Sequence, residues 1–140
     1  MYRILLLSHG NLAEELLKSA ELIMGAPPAE AVATIPLPLG KDMAEYKAEV
    51  ETYVSGAVAQ GECLILADLA GGSPFITAAG IYRTYMEAGN VDVITGVNLT
   101  MLIEALSAQE HATLAEVRKI VLEEGHAGIQ ALSSTLTAQQ

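Results

Sequence analysis

A chain of 140 residues can bury one core without disulfides or metals, and we expect a single domain over residues 1–140. The 7 basic and 17 acidic residues give a formal charge of -10, which argues against a nucleic-acid partner. No apolar run approaches the roughly 20 residues of a membrane span, and the start lacks the pattern of an export signal. The one cysteine excludes an internal disulfide, so we expect a cytoplasmic protein.

Apolar runs of strand length alternate with segments of helical period, a pattern typical of βαβ units in a parallel sheet. The first strand is predicted over residues 2–8 and is almost continuously apolar, as in a strand covered on both faces. A helix follows, capped by Asn11, running to about Met24 and stopped by Gly25. A second strand covers residues 32–37, and its prolines place its end at or just beyond a sheet edge.

The remaining elements continue the alternation. They are a helix over 42–58, a strand over 64–67, a helix over 74–87, a strand over 91–95, and helices over 99–106 and 114–124. Apolar stripes predict the buried faces of the first two helices, and they consist of Leu12, Leu16, Ala20 and Ile23 and of Met43, Tyr46, Val50 and Val54. The segment 128–137 after Gly125 is either a short fifth strand or a fraying helix end.

These elements predict an α/β fold: a doubly wound, mainly parallel sheet of strand order 2-1-3-4, flanked by helices, with an antiparallel fifth strand left open. The carboxyl ends of parallel strands share one edge, where ligands bind at the switch in strand order. His9 follows the first strand and Asp68 the third, so we expect them to face each other there. The carboxylate would hold one ring nitrogen and leave the other exposed as a nucleophile.

The stretch "ADLAGGSPF" predicts a helix N-terminus at the same edge. Gly71 and Gly72 permit positive φ and close backbone approach, Ser73 suits the N-cap and Pro74 the first helical position. The free amides of such a terminus make an anion site that fits phosphate. Gly10 would leave the approach to the histidine unblocked. Phosphoryl transfer from a phosphoramidate relies on positioning and charge stabilisation, so we expect no metal and no cofactor.

Three other residues with reactive side chains are assigned no chemistry. Cys63 begins an apolar strand and is interpreted as a small buried hydrophobe. His126 stands beside the predicted end of a helix and His111 before a helix that starts near Thr113. Neither histidine has carboxylates or cysteines at metal-ligand spacing.

The motifs "SHG" after the first strand, "DLAGGSPF" after the third and "GVNLTML" after the fourth resemble the IIA component of the mannose-type sugar phosphotransferase system. The resemblance covers nearly the whole chain, in order. It implies a cytoplasmic phosphocarrier that takes a phosphoryl group from the histidine-containing phosphocarrier protein and passes it to a IIB component of a sugar permease. It also implies a homodimer, with exchange of the C-terminal strand left open, and contact with the membrane only through the permease complex.

The same resemblance implies roles for single residues. His9 matches the histidine that is phosphorylated, and Asp68 matches the aspartate that orients it. Ser73 matches a residue near the phosphoryl group, while Gly71 and Gly72 match its backbone cradle.

The fourth-strand loop through Asn98 would form a wall of this site.

Two positions depart from the family pattern. Thr100 stands where many members have proline, which touches no transferring group, and Ala70 stands where some have a bulky aromatic, which would flatten the rim. The tail "EEGHAGI" resembles the amino-sugar branch of the family.

Two alternatives stay open at this point. The phosphotransfer subunit of a dihydroxyacetone kinase would use the same histidine for another acceptor, although its G-G-S-P region usually differs. A non-catalytic regulatory module would merely hold an anion in the crevice. The absence of a G-x-S-x-G elbow and of an H-E-x-x-H pair disfavours a hydrolase.

Overall fold

A four-stranded parallel sheet forms the middle layer of the computed structural model, which describes residues 1–138. Its strands are β1 (Tyr2–His9), β2 (Val32–Leu37), β3 (Glu62–Ala67) and β4 (Val91–Ile94). They lie in the order β2-β1-β3-β4, and each neighbouring pair is parallel. The predicted α/β fold with a doubly wound sheet of order 2-1-3-4 is therefore confirmed.

Within the described residues the chain forms six helices. They are α1 (Leu12–Met24), α2 (Met43–Val58), α3 (Ser73–Tyr85), α4 (Leu99–Ser107), α5 (Leu114–Ala127) and α6 (Leu132–Ala138). None of the helices in this part of the chain has the length and apolar character needed to cross a bilayer.

The side chains of the sheet alternate between two apolar cores. On β1, Ile4 and Leu6 pack with α1, α4 and α5, whereas Leu5 and Leu7 pack with α2 and α3. All four side chains are fully buried. Because successive residues of a strand point to opposite faces, a strand covered on both sides must be apolar throughout, which explains the continuous run in β1.

Of the two alternatives left open for residues 128–137, a fifth strand is not formed and the helical alternative is closer, because residues 132–138 form the separate helix α6. Threonine hydroxyls support this helix by bonding to carbonyls four residues back, as Thr137 Oγ1 does to the Ser133 carbonyl at 2.8 Å. Leu132 and Leu136 are exposed and one helical turn apart. The sheet formed by residues 1–138 accordingly has four strands.

The predicted buried faces of α1 and α2 are only partly confirmed. Leu12, Ile23 and Met43 are exposed. Helix α1 buries Ala20, as predicted, together with Ala13, and Leu16 is partly buried against the same core. The rest of the α2 stripe is buried as predicted and consists of Tyr46, Val50 and Val54. A helix that packs through alanine lies close to the sheet, so its longer side chains remain at the margins.

The predicted stop of α5 at Gly125 is also wrong, since the helix continues to Ala127. Gly125 is buried against α4, where an added Cβ would lie 2.5 Å from Met101 Cγ. The glycine therefore permits close packing of α4 on α5 and does not terminate the helix.

A buried glutamine ties the elements together at the amino ends of the strands. Gln109 Nε2 donates to the carbonyls of Tyr2 and Ala31, both at 2.8 Å. The Tyr2 hydroxyl donates to the Ala105 carbonyl at 2.6 Å. These bonds join the start of β1 to the loop before β2 and to α4, at the sheet edge opposite His9.

Candidate functional site

His9 and Asp68 are brought together at the carboxyl ends of β1 and β3, as predicted. His9 Nδ1 lies 2.8 Å from Asp68 Oδ2, and the same oxygen accepts the His9 backbone N–H at 2.9 Å. The Asp68 backbone amide donates to the Leu7 carbonyl at 3.1 Å, which continues the pairing of the two strands past their ends. The strand order thus places the two side chains in contact.

The contact determines which ring nitrogen of His9 is free. A carboxylate oxygen only accepts, so Nδ1 carries the proton of the 2.8 Å bond. In the neutral ring, Nε2 then holds a lone pair. The His9 side chain is 51 % exposed, whereas that of Asp68 is 9 % exposed. The arrangement presents a nucleophilic nitrogen to an approaching molecule and keeps its carboxylate partner within the protein.

The Asp68 carboxylate is ionised at neutral pH despite its burial. Burial favours the protonated form, but the hydrogen bonds from the backbone and ring of His9 outweigh this effect and hold the pKa of Asp68 below its usual range. Its second oxygen, Oδ1, is buried and has no hydrogen-bond partner within the described residues. The two hydrogen bonds that Oδ2 accepts both come from His9.

The start of α3 packs against the His9 ring. A Cβ added to Gly72 would lie 2.7 Å from His9 Cε1 and 3.4 Å from Nε2. No other residue type fits at position 72 without displacing the ring. The positive end of the α3 dipole accordingly lies beside Nε2, where it favours a negatively charged group.

The turn before α3 differs in detail from the prediction. Gly72 is the N-cap and Ser73 the first helical residue, so the expected cap by Ser73 is wrong. The Gly72 amide donates to the Leu69 carbonyl at 3.1 Å and is not free for an anion. The backbone amides of Gly71 and Ser73 and the Ser73 hydroxyl make no hydrogen bond within residues 1–138. Gly71 has a φ of 82°, which explains glycine there.

Gly10 adopts a backbone conformation that favours glycine, and its predicted role in leaving the approach to His9 unblocked stays a prediction. Its φ is 55°, in the left-handed region, while an added Cβ would meet nothing within 4 Å. Its amide donates to the Leu37 carbonyl at 2.8 Å. The requirement at this position is therefore the turn that carries the chain from His9 into α1.

Asn11 occupies the N-cap position of α1 but makes no side-chain capping bond, contrary to the prediction. The buried hydroxyl of Ser8 accepts the Ala13 amide instead, at 2.8 Å. Ser8 is a residue of the site region that sequence reasoning overlooked. Its signal is a polar side chain on a strand face whose other residues, Tyr2, Ile4 and Leu6, are apolar and buried.

An open groove lies beside His9. Its walls are Gly10, Leu37, Pro38, Leu39, Gly40, Lys41 and Met43. The cavity measures about 460 Å³. Lys41, the one charged residue of the lining, pairs with Glu45 and Glu49 of α2. A mostly apolar groove next to an exposed imidazole suits a protein surface better than a small polar solute.

Asn98 holds the loop after β4 in place. Its side chain caps α4 by accepting the Met101 amide at 2.9 Å, and it donates to the Gly125 carbonyl at 3.3 Å. It lines a separate cavity of about 220 Å³ that also includes His126. The polar atoms of Asn98 are thus engaged by α4 and α5.

The other reactive side chains lie apart from the pair. Cys63 is buried, and burial raises the pKa of its thiol to about 12. His126 belongs to the last turn of α5, and His111 follows α4. No group of three His, Cys, Asp or Glu side chains within residues 1–138 is arranged to hold a metal ion.

Comparison with known proteins identifies the family and the solved structures that this chain resembles. The family described as "PTS system fructose IIA component" (EIIA-man) matches residues 3–122. The chain is 31% identical over 128 residues to the "PTS system mannose-specific EIIAB component" of Escherichia coli (strain K12), covering 91% of this chain. It spans only 38% of that relative. It is also 32% identical over 109 residues to the "PTS system sorbose-specific EIIA component" of Klebsiella pneumoniae, covering 78% of this chain and 76% of the relative.

Solved structures share the whole fold. The phosphotransferase system component EIIA from Streptococcus agalactiae superposes with a TM-score of 0.86 at 29% identity, covering 96% of this chain and 99% of that one. The IIA protein associated with the fucose utilization operon of Streptococcus pneumoniae gives a TM-score of 0.84 at 26% identity, covering 96% of each chain. With its fold, its motifs and the match over residues 3–122, the chain belongs to the EIIA-man family of sugar phosphotransferase system components.

Proposed function

We propose that the protein is a cytoplasmic phosphocarrier, a phosphotransferase that accepts a phosphoryl group on His9. The donor is the histidine-containing phosphocarrier protein, and the acceptor is the IIB component of a sugar permease. The observation that carries the proposal is the 2.8 Å contact between His9 Nδ1 and Asp68 Oδ2, which leaves Nε2 exposed. Family membership supports the same reading.

The chemistry needs only groups that meet at this edge. The lone pair of Nε2 attacks the phosphorus atom of the donor's phosphohistidine, forming a new N–P bond. The donor's N–P bond breaks, and its imidazole leaves with that electron pair. The proton stays on Nδ1 and donates its hydrogen bond to Asp68, whose negative charge stabilises the positive charge that develops on the ring of His9.

The start of α3 would stabilise the transferring group. The amides of Gly71 and Ser73 and the Ser73 hydroxyl are available as donors, and the helix dipole adds positive potential. Most of the rate enhancement in phosphoryl transfer comes from such positioning and charge stabilisation. Ser73→Ala should therefore slow transfer less than Asp68→Ala, because the backbone donors remain.

The partners should be proteins with basic faces, given the charge of -10 and the apolar groove beside His9.

We also propose that the protein is a homodimer, which sedimentation equilibrium tests directly. Twice the mass of one chain at micromolar concentration is the expected result, and a monomer mass across that range would contradict this part of the proposal.

The function is tested by incubating the protein with phosphoenolpyruvate, the first enzyme of the phosphotransferase system and the histidine-containing phosphocarrier protein, followed by intact mass. The expected result is an acid-labile gain of one phosphoryl group that moves on to a IIB protein. His9→Ala should show no gain, whereas His111→Ala and His126→Ala should match the wild type. A wild-type protein that gains nothing from a competent donor would refute the proposal and favour an anion-binding module. Onward transfer only to a dihydroxyacetone kinase would refute the sugar-uptake role.

A further inference from the structure

Ser8 is a fully buried polar residue directly before His9. The alternation of β1 places it on the sheet face that carries α1, α4 and α5, whereas His9 follows on the opposite face, beside α3. A buried hydroxyl at such a position costs free energy unless it is hydrogen-bonded. The bonds of Ser8 therefore indicate what the residue does.

The Ser8 hydroxyl spans the turn that contains His9. It accepts the amide of Ala13, in the first turn of α1, at 2.8 Å and donates to the Gly10 carbonyl at 3.2 Å. It thus replaces the capping bond that the Asn11 side chain does not make. One hydroxyl joins the residue before His9 both to the residue after it and to the following helix.

The backbone around His9 is consequently held from three directions. The His9 amide donates to Asp68 Oδ2 at 2.9 Å, and the Gly10 amide donates to the Leu37 carbonyl at 2.8 Å. The Gly10 carbonyl accepts from Ser8, and Gly10 itself is held at a φ of 55°. The first two bonds orient the chain across the sheet, and the bonds of the Ser8 hydroxyl tie the turn to α1.

We propose that Ser8 is a positioning residue for phosphoryl acceptance, acting through Gly10 to hold the His9 ring between Asp68 and Gly72. This inference rests on the proposed phosphocarrier function. A misplacement of about 1 Å can cost up to about 100-fold in rate when reacting atoms must be aligned. The ring has little room to move, because Gly72 already packs against Cε1.

The test compares Ser8→Ala with Thr113→Ala. Thr113 caps α5, where its hydroxyl accepts the Glu116 amide at 3.2 Å, so both variants remove a helix-capping hydroxyl. Helix α5 starts at the amino-end edge of the sheet, where the Leu114 amide donates to Glu62 of β3, and Thr113 is remote from His9. The measurement is rapid-quench phosphorylation by the histidine-containing phosphocarrier protein over a range of donor concentrations.

Ser8→Ala is expected to lower the maximal phosphorylation rate about 10-fold with less than about a 2-fold change in KM, because the groove that meets the donor is unchanged. Thr113→Ala is expected to keep the wild-type rate although it also loses stability. Equal maximal rates for the wild type and folded Ser8→Ala would overturn the inference.

Ser8→Cys keeps the size of the side chain but bonds weakly, so it tests the inference even where Ser8→Ala does not fold. An intermediate slowing is expected, and a wild-type rate would overturn the inference.

The 15N shifts of the His9 ring give a readout that does not need phosphoryl transfer. They should report a Nδ1-protonated ring in the wild type and a mixed population of ring protonation forms in both Ser8 variants. Identical shifts in the wild type and the variants would refute the positioning of the His9 ring by Ser8. A wild-type protein that is never phosphorylated would refute the proposed function. The 15N shifts of the His9 ring would still test the positioning role of Ser8.

Discussion

Two neighbours act on the imidazole of His9 from different sides. Asp68 fixes Nδ1 by a 2.8 Å hydrogen bond, and Gly72 lets the ring lie against the start of α3. One contact sets the chemistry of the ring and the other sets its location. The two effects can be separated by mutation, because the Gly72 backbone adopts an ordinary φ of -74° that alanine tolerates.

Gly72→Ala is predicted to slow phosphorylation of His9 by about 10-fold or more with little loss of stability. The new Cβ would lie 2.7 Å from His9 Cε1 and 3.3 Å from the Leu69 carbonyl, so the ring must move. Gly80→Ala is the matched control on the same helix, since its Cβ would meet nothing within 4 Å. That control should phosphorylate normally and gain up to about 1 kcal/mol of stability. Equal transfer rates in the two variants would contradict the packing of the ring on Gly72.

Asp68 gives a pH prediction with a definite sign. Its pKa is lowered in the folded protein by His9 against the opposing effect of burial, while the unfolded value is about 3.9. Between the folded and the unfolded pKa of Asp68, the unfolded state binds more protons than the folded state. The ionised carboxylate therefore contributes its full stabilisation above about pH 4, and this stabilisation is lost as the pH falls through the folded pKa. Asp68→Asn removes this contribution to the free energy of unfolding. The difference in unfolding free energy between wild type and variant, measured by urea denaturation, should shrink from pH 5 toward pH 3. Parallel curves would contradict the prediction.

At the scale of elements, the strands were more predictable than the helix ends. Continuous apolar runs and the βαβ alternation are enough to place Asp68 opposite His9, because strand order follows from general rules. Capping depends on which polar group reaches a given amide in three dimensions. The hydroxyl of Ser8 caps α1 in place of Asn11, and Gly72 caps α3 in place of Ser73; the polar Ser8 at an inward strand position does not by itself indicate which amide it reaches.

Gln109 is an element-scale contact that sequence reasoning did not find. Gln109→Leu leaves the carbonyls of Tyr2 and Ala31 without this donor and should cost about 1–3 kcal/mol of unfolding free energy. The exposed Gln60 provides the control, and Gln60→Leu should stay within about 0.5 kcal/mol. Chemical denaturation measures both. Phosphorylation of the folded variants should be unchanged, since Gln109 lies at the edge opposite His9; a slower rate would show that the two edges are coupled.

At the scale of the whole molecule, the buried cores and the candidate site occupy different regions. The two apolar cores lie on the faces of the sheet, whereas the imidazole, the start of α3 and the groove lie along one edge. This edge follows from the topology and was predictable. The C-terminal helix was not, because a short run such as 132–138 carries too few residues for its period to decide between strand and helix.

The charge of -10 predicts how encounter depends on salt. With a donor whose docking face is basic, kcat/KM for phosphorylation should fall several-fold between about 20 and 300 mM salt, since screening shortens the reach of the attraction. The maximal rate should change little, because the contacts within the complex are less screened. Rapid-quench kinetics at several salt concentrations measure both quantities. A flat kcat/KM would mean that the acidic surface takes no part in encounter.

In the proposed mechanism, Asp68 occupies Nδ1 of His9 and leaves Nε2 as the nucleophile. Its most direct test is NMR of the phosphorylated protein, with the histidine ring labelled with 15N. The phosphoryl group should be bonded to Nε2 of His9, with Nδ1 protonated. A phosphoryl group on Nδ1, or on a histidine other than His9, would contradict the account.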